Sequence, residues 1–244
     1  MNDTFPWETV IHLFSVARIE YLKRHILKLK HIIFDCDGVL VDSETLSMRA
    51  DVSLLQQYGF TITEQEAHHR FVGKTFEAML DEISAQSGVR FPSGLSHQKD
   101  RLLETMFRSD LRMVNGVTGV LLELQKRGIT FSVASNSPKE RVALALRLTG
   151  ITRFFMSITT FEDVDNAKPA PDVYLRAVTK SGFASGQCAV VEDSTTGVIS
   201  AVAANLKTFA FTGTHHDPQS HANAVLALGA HIAFETMSEL PGLL

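Results

Sequence analysis

Cysteine is scarce in this chain: Cys36 and Cys188 are the only two in 244 residues. Two thiols so distant in sequence cannot build a disulfide framework and lack the close spacing of a metal or redox pair, so a reducing, cytoplasmic compartment is expected. Excess positive charge is also missing. The 23 Lys and Arg against 27 Asp and Glu leave a net charge of -4, with no overall positive field to draw nucleic acid. No apolar run approaches the ~18 residues of a membrane helix. The stretch from Val10 to Ala17 is broken by His12 and Ser15, is followed by charges and carries no small-residue cleavage site. Internal repeats and low-complexity segments are absent. What remains, 45% hydrophobic and 20% charged residues, is an ordinary globular mixture, long enough for one large domain or two small ones.

In the first thirty residues Val10, Ile11, Leu13, Phe14, Ala17, Leu22, Ile26 and Leu29 recur at near-helical spacing, with Arg18, Lys23, Arg24, Lys28 and Lys30 between them. This pattern suits an amphipathic helix on a membrane surface or a partner. It equally suits an extension that takes no part in chemistry, and residues 1–29 are read that way because chain termini tolerate change. No membrane partner is expected.

Beyond residue 30, short apolar runs alternate with helical patterns, the signature of a parallel sheet covered by helices. The expected strands are His31 to Phe34, Ile129 to Ala134, Met156 to Thr159, Cys188 to Val191 and Lys207 to Phe211. Helices are expected from about Gly119 to Lys126, Lys139 to Leu148, Pro171 to Lys180 and Thr196 to Ala204. Residues 46–110 break the rhythm. They show no convincing strand, yet Leu46, Ala50, Leu54, Leu55 and Tyr58, then Phe76, Met79, Leu80 and Ile83, then Leu102, Leu103, Met106 and Phe107 keep helical spacing. The expected architecture is α/β: a Rossmann-like, doubly wound parallel sheet formed by residues 30–45 and 111–244, with residues 46–110 inserted as a helical cap. Joined by linkers at Asp42 to Thr45 and Arg112 to Asn115, that cap would lie over the carboxyl end of the first strand as a lid.

Polar residues follow the strands directly. Ile32-Ile33-Phe34 runs into Asp35-Cys36-Asp37-Gly38, Phe131 to Ala134 into Ser135-Asn136, and Ala189-Val190-Val191 into Glu192-Asp193-Ser194. Open parallel sheets bind ligands at the carboxyl ends of their strands, so these groups should converge. Asp35, Asp37, Glu192 and Asp193 would then crowd four carboxylates into one crevice. A hard cation, Mg2+ rather than Zn2+, suits such an all-oxygen set. Lys168 supplies fixed positive charge and Ser135 a hydroxyl donor for phosphate oxygens. A single strand-end aspartate is commonly a helix cap; several in this order are not easily produced by chance.

The segment Asp35-Cys36-Asp37-Gly38-Val39-Leu40-Val41-Asp42-Ser43-Glu44 resembles the opening motif of the haloacid dehalogenase-like hydrolases, in their cap-bearing sugar-phosphatase and beta-phosphoglucomutase-like branch. Ser135-Asn136, Lys168-Pro169-Ala170-Pro171-Asp172 and Glu192-Asp193-Ser194-Thr195-Thr196-Gly197 resemble the second, third and fourth motifs. The resemblance spans roughly residues 30 to 240. It implies an Mg2+-dependent phosphatase for a small phosphorylated metabolite, such as a sugar or sugar-acid phosphate, working through an aspartyl phosphate. Asp35 would be the nucleophile and Asp37 the acid and base. Ser135, Asn136 and Lys168 would bind the transferring phosphoryl group, and Asp193, with Glu192 beside it, would complete the metal site with Asp35 and the main-chain carbonyl of Asp37.

Three other readings compete. A phosphoacceptor signalling module needs neither Asp37 nor a lid. A dehalogenase leaves Asp37 and the Glu192-Asp193 pair unexplained. A phosphomutase shares every core motif, but the resemblance would then require histidine and arginine where Ser47 and Phe76 stand. Arg49, Arg70 and Lys74 are cap cations that could meet an anionic or hydroxylated leaving group, with Arg49 and Lys74 the candidates for specificity. Gly73-Lys74-Thr75 imitates a nucleotide-binding loop but has His68 in place of the required earlier glycine. His68-His69 and His215-His216 are read as surface or packing residues, since adjacent histidines chelate poorly.

Overall fold

The computed structural model describes residues 28–71 and 74–244. The expectations for residues 1–27 and for Gly73 lie outside these, as do the side chains of His68 and His69. Strand β1 (His31–Phe34) leads into a two-residue strand β2 (Val41–Asp42), then four helices: α1 (Glu44–Gln57), α2 (Glu64–Phe71), α3 (Phe76–Ser87) and α4 (Leu95–Asp110). The short β3 (Arg112–Met113) returns the chain to a regular alternation: α5 (Val117–Lys126), β4 (Thr130–Ser135), α6 (Lys139–Leu148), β5 (Phe155–Thr160), α7 (Asp172–Ser181), β6 (Cys188–Glu192), α8 (Thr195–Ala203) and β7 (Lys207–Phe211). Helix α9 (Pro218–Ala227), strand β8 (Ile232–Phe234) and a last turn of helix, α10 (Leu240–Leu243), finish it.

The main sheet runs β5-β4-β1-β6-β7-β8, with every pair parallel. The chain builds outward from β1 in one direction and then, from β6, in the other. This reversal is the doubly wound topology, and it leaves a crevice at the carboxyl ends of the central strands. Alternation along each strand sorts the core into two layers. Ile32 and Phe34 pack with Phe131, Val133, Leu121 and Leu144 on one face, while Ile33 packs with Val190, Val173 and Ala177 on the other. Phe34 meets Phe131 and Phe155 edge to face at 5.9 and 6.2 Å. Buried His31 opens β1, its two ring nitrogens each 2.8 Å from the Thr130 and Ser132 hydroxyls.

Helices α1 to α4 have a core of their own around Leu55, Ile62, Phe71, Phe76, Met79 and Ile83. Leu46 of α1 and Leu103 and Phe107 of α4 pack instead on the sheet-side cluster, seating the helical segment on the core. The two expected linkers are partly strand. Val41 pairs with Met113 and Asp42 with Arg112 in an antiparallel ribbon, so the two crossings are held side by side. Strands of two residues carry no periodicity to read, and the same holds for the three-residue β8. Helix α1 begins at Glu44, ahead of the expected cap boundary. No helix among the described residues is long and apolar enough to cross a membrane.

Candidate active site

The ends of β1, β4 and β6 bring together the residues that their strands point at. Lys168, in the loop before α7, is almost wholly buried. Its Nζ lies 2.6 Å from Asp35 Oδ1, 2.7 Å from Glu192 Oε1 and 2.9 Å from the Ala134 carbonyl. Burial by itself would discharge this lysine, but Asp35 and Glu192 hold its pKa well above the ordinary range. Burial also pushes Asp35 upward, reinforced by Glu192, Asp193 and Asp37 and opposed by Lys168. One oxygen of Asp35, Oδ1, is thus tied to the lysine. Asn136 locks the loop that carries Lys168: its amide exchanges two 3.0 Å hydrogen bonds with the Lys168 backbone.

Asp37 turns away from the lysine towards hydroxyls. Its Oδ1 accepts from Ser43 at 2.6 Å, and its Oδ2 accepts from Ser137 at 2.7 Å and more weakly from Ser135 at 3.4 Å. Ser43 stands at the N-cap of α1 but makes no side-chain cap; its hydroxyl goes to Asp37 instead. The start of the first cap helix is thereby coupled to the strand-end acid.

Asp193 is buried, and its pKa is raised by that burial, then by Glu192 and Glu44. It packs against Gly38, which has φ +75°. Histidines outside the sequence motifs reach the same residue. His215 Nε2 lies 3.1 Å from the Asp193 main-chain oxygen and 3.5 Å from Oδ2, and His221 Nε2 meets the same main-chain oxygen. Burial lowers the pKa of His221.

Three of the expected site residues are engaged by other partners. Glu192, expected beside the metal, has both carboxylate oxygens engaged: Oε1 accepts from Lys168 and from Tyr174 Oη (2.9 Å), and Oε2 from the Ser194 N–H and hydroxyl at 2.9 and 3.1 Å. It anchors the lysine. The Asn136 side chain is engaged with the Lys168 loop, Oδ1 accepting from its N–H and Nδ2 donating one N–H to its carbonyl. Arg49 lies 3.9 Å from Asp110 and is not among the residues lining the crevice, so its charge is compensated elsewhere.

The crevice between helical segment and sheet has a volume of about 520 Å³. Asp35, Asp37, Ser135, Lys168 and Asp193 form its floor, and Lys74, Phe76 and Lys99 line its cap side. Lys74 pairs with Glu82, as Arg70 does. Lys99 lies 2.7 Å from Asp51 and 4.8 Å from the Phe76 ring centre. Burial raises the pKa of Asp51, against the pull of Lys99. Sequence reasoning passed over Lys99 although it sits four residues before buried Leu103 and eight before Phe107, on the inward face of α4. His215, expected to be a surface or packing residue, stands four residues past the end of β7 and reaches Asp193 instead, and His221 lies on α9, a helix that the apolar spacing does not announce.

The donor set fits a hard cation. Lys168 bridges only Asp35 and Glu192, while burial first, and then the neighbouring acids, raise the pKa values of Asp35 and Asp193. Among the described residues no three His, Cys, Asp or Glu side chains enclose a metal by themselves. The donors at the crevice floor, the Asp35 and Asp193 carboxylates with the main-chain oxygens beside them, are all oxygens, the kind that suits Mg2+.

The doubly wound sheet holds a lysine-bridged acidic crevice at its strand ends, beneath the helical segment, and together with the family match and relatives that follow, it identifies an enzyme of the phosphoric monoester hydrolase class. The chain belongs to the haloacid dehalogenase-like hydrolases, whose family pattern matches residues 32–211. It is 26% identical over 219 residues to the 6-phosphogluconate phosphatase of Escherichia coli, covering 88% of this chain and 95% of that protein. A haloacid dehalogenase-like protein of unknown function from Agrobacterium tumefaciens superposes with a TM-score of 0.78 at 31% identity, covering 88% of this chain and 97% of the other. A family hydrolase from Deinococcus radiodurans, solved with bound phosphate and sodium, gives 0.75 at 26% identity, covering 89% and 95%.

Proposed function

We propose that this enzyme is an Mg2+-dependent phosphatase of small sugar or sugar-acid phosphates that works through an aspartyl phosphate on Asp35. The observation that carries the reading is the Lys168 bridge between Asp35 Oδ1 and Glu192. It fixes the Asp35 carboxylate by one oxygen and leaves Oδ2 as the nucleophile. Mg2+, held by Asp35, Asp193 and the main-chain carbonyl of Asp37, would neutralise phosphoryl charge.

Asp35 Oδ2 attacks phosphorus in line, and the ester oxygen departs with a proton from Asp37, to which Ser43 and Ser137 donate. Lys168 and the Ser135 hydroxyl steady the equatorial oxygens. Asp37 then takes a proton from water, which attacks the same phosphorus and frees Asp35. Acid and base assistance of this kind is worth about 10²- to 10⁴-fold.

The cap favours hydrolysis over phosphoryl return. Ser47 and Phe76 both line the crevice, and Phe76 presents a ring to Lys99 rather than a guanidinium to a second phosphate. Lys99 and Lys74 stand at the leaving-group end, paired with Asp51 and Glu82, where a sugar acid or polyol would share their N–H donors with those carboxylates. The test is a panel of phosphate monoesters with Mg2+ and with chelator. Phosphate release that chelator abolishes, and that Asp35→Asn eliminates while the protein stays folded, is expected. Undiminished release in chelator would overturn it. Efficient conversion of a hexose 1-phosphate to its 6-phosphate with little free phosphate would assign a mutase instead.

A further inference from the structure

The last rung between β1 and β6 pairs Phe34 with Val191, and the Asp35 N–H still donates to the Val191 carbonyl at 2.9 Å. Gly38 and Asp193 lie beyond this ladder, in turns that carry buried like charges. Those turns are joined from a third direction. In the segment after β7, Thr214 Oγ1 donates to the Gly38 carbonyl at 2.9 Å. One residue on, His215 reaches the Asp193 carbonyl from 3.1 Å, and His221, at the start of α9, reaches the same oxygen. The two imidazoles stack with centres 3.6 Å apart and planes 14° from parallel, so neither ring can swing without displacing the other.

We propose that Thr214, His215 and His221 form a positioning strap that holds the Gly38 and Asp193 turns at metal-binding separation. None of the three touches the reacting atoms. By anchoring two main-chain carbonyls they fix the directions of the Asp193 carboxylate and of the Asp35-Asp37 turn, against a repulsion that is strongest before a cation arrives. Partners of this outer kind typically change metal affinity by about 10- to 100-fold. The inference rests on the Mg2+ reading of the site, and it extends that reading to residues outside the four motifs.

The experiment is a calorimetric titration of the full chain with Mg2+ alone, for wild type and for the variants His215→Ala/His221→Ala, His215→Gln/His221→Gln and Thr214→Val. Wild type should bind Mg2+; if it does not, the functional reading itself fails and the strap falls with it. The double alanine variant should bind at least about tenfold more weakly, and the glutamine pair, which retains a side-chain N–H donor, should recover much of the loss. In steady-state assays the Mg2+ concentration at half-maximal rate should rise while KM for the ester moves less. A folded double alanine variant that binds Mg2+ within about twofold of wild type overturns the proposal, because a purely structural role would lower Tm and leave affinity alone. Should that variant not fold, Thr214→Val decides by the same affinity criterion.

Discussion

Gly38 and Asp193 are packed so closely that a Cβ on Gly38 would fall 2.0 Å from Asp193 Oδ2. The same glycine has φ +75°, which an L side chain adopts at a cost of about 1–2 kcal/mol. Gly38→Ala should therefore push the Asp193 carboxylate aside, lowering kcat/KM by about 100-fold or more and stability by about 1–3 kcal/mol. Steady-state kinetics and urea unfolding check both. Near-wild-type kinetics would mean that Asp193 has no role at the reacting centre.

Lys168 is held between two buried carboxylates. Lys168→Met leaves Asp35 and Glu192 together without a cation, so the fold should lose about 3–5 kcal/mol and turnover should vanish. Denaturant titration measures the first effect. Adding Glu192→Gln should return part of that stability while turnover stays lost; no return would show that repulsion between the carboxylates is not the cause.

Lys99 faces the crevice from α4. Lys99→Gln should alter preference among substrates, reducing kcat/KM for carboxylate-bearing esters by about tenfold relative to neutral polyol phosphates. A uniform loss across both classes would place Lys99 in cap packing alone.

His31 makes the fold sensitive to acid. Burial pushes its pKa down from 6.5 to about 4, so between those values the unfolded chain binds a proton that the folded chain does not. Its contribution is complete above pH 6.5 and is lost as pH falls to about 4, a change of about 3 kcal/mol. Urea unfolding at pH 7 and at pH 4 should show this loss, and His31→Gln should flatten it. An unchanged slope in that variant would assign the acid sensitivity to other groups.

Every group assigned to chemistry lies after Lys30. A chain lacking residues 1–28 should retain its phosphatase activity, and a soluble but inactive truncation would make that segment part of the working enzyme.

The sheet was legible because its strands are short apolar runs with a period of two or fully buried faces, and Asp35, Ser135 and Asp193 follow those runs directly. The helical insertion was legible from sustained apolar spacing. The two-residue ribbon strands and β8 were not, since a pairing that brief leaves no pattern in either partner.

Residue type and order along the chain determined which groups stand at the sheet's carboxyl edge, because alternation and strand direction are local properties. How those groups divide the work is decided only by the tertiary structure. Glu192 and Asp193 are adjacent acids, yet opposite pointing at a strand end sends one to Lys168 and Tyr174 and the other to Gly38. Arg49, Lys74 and Lys99 are three cap cations, and helix packing alone turns the first to Asp110 and the other two into the crevice. Direction and distance between elements depend on the packing of the whole chain, which no local pattern encodes.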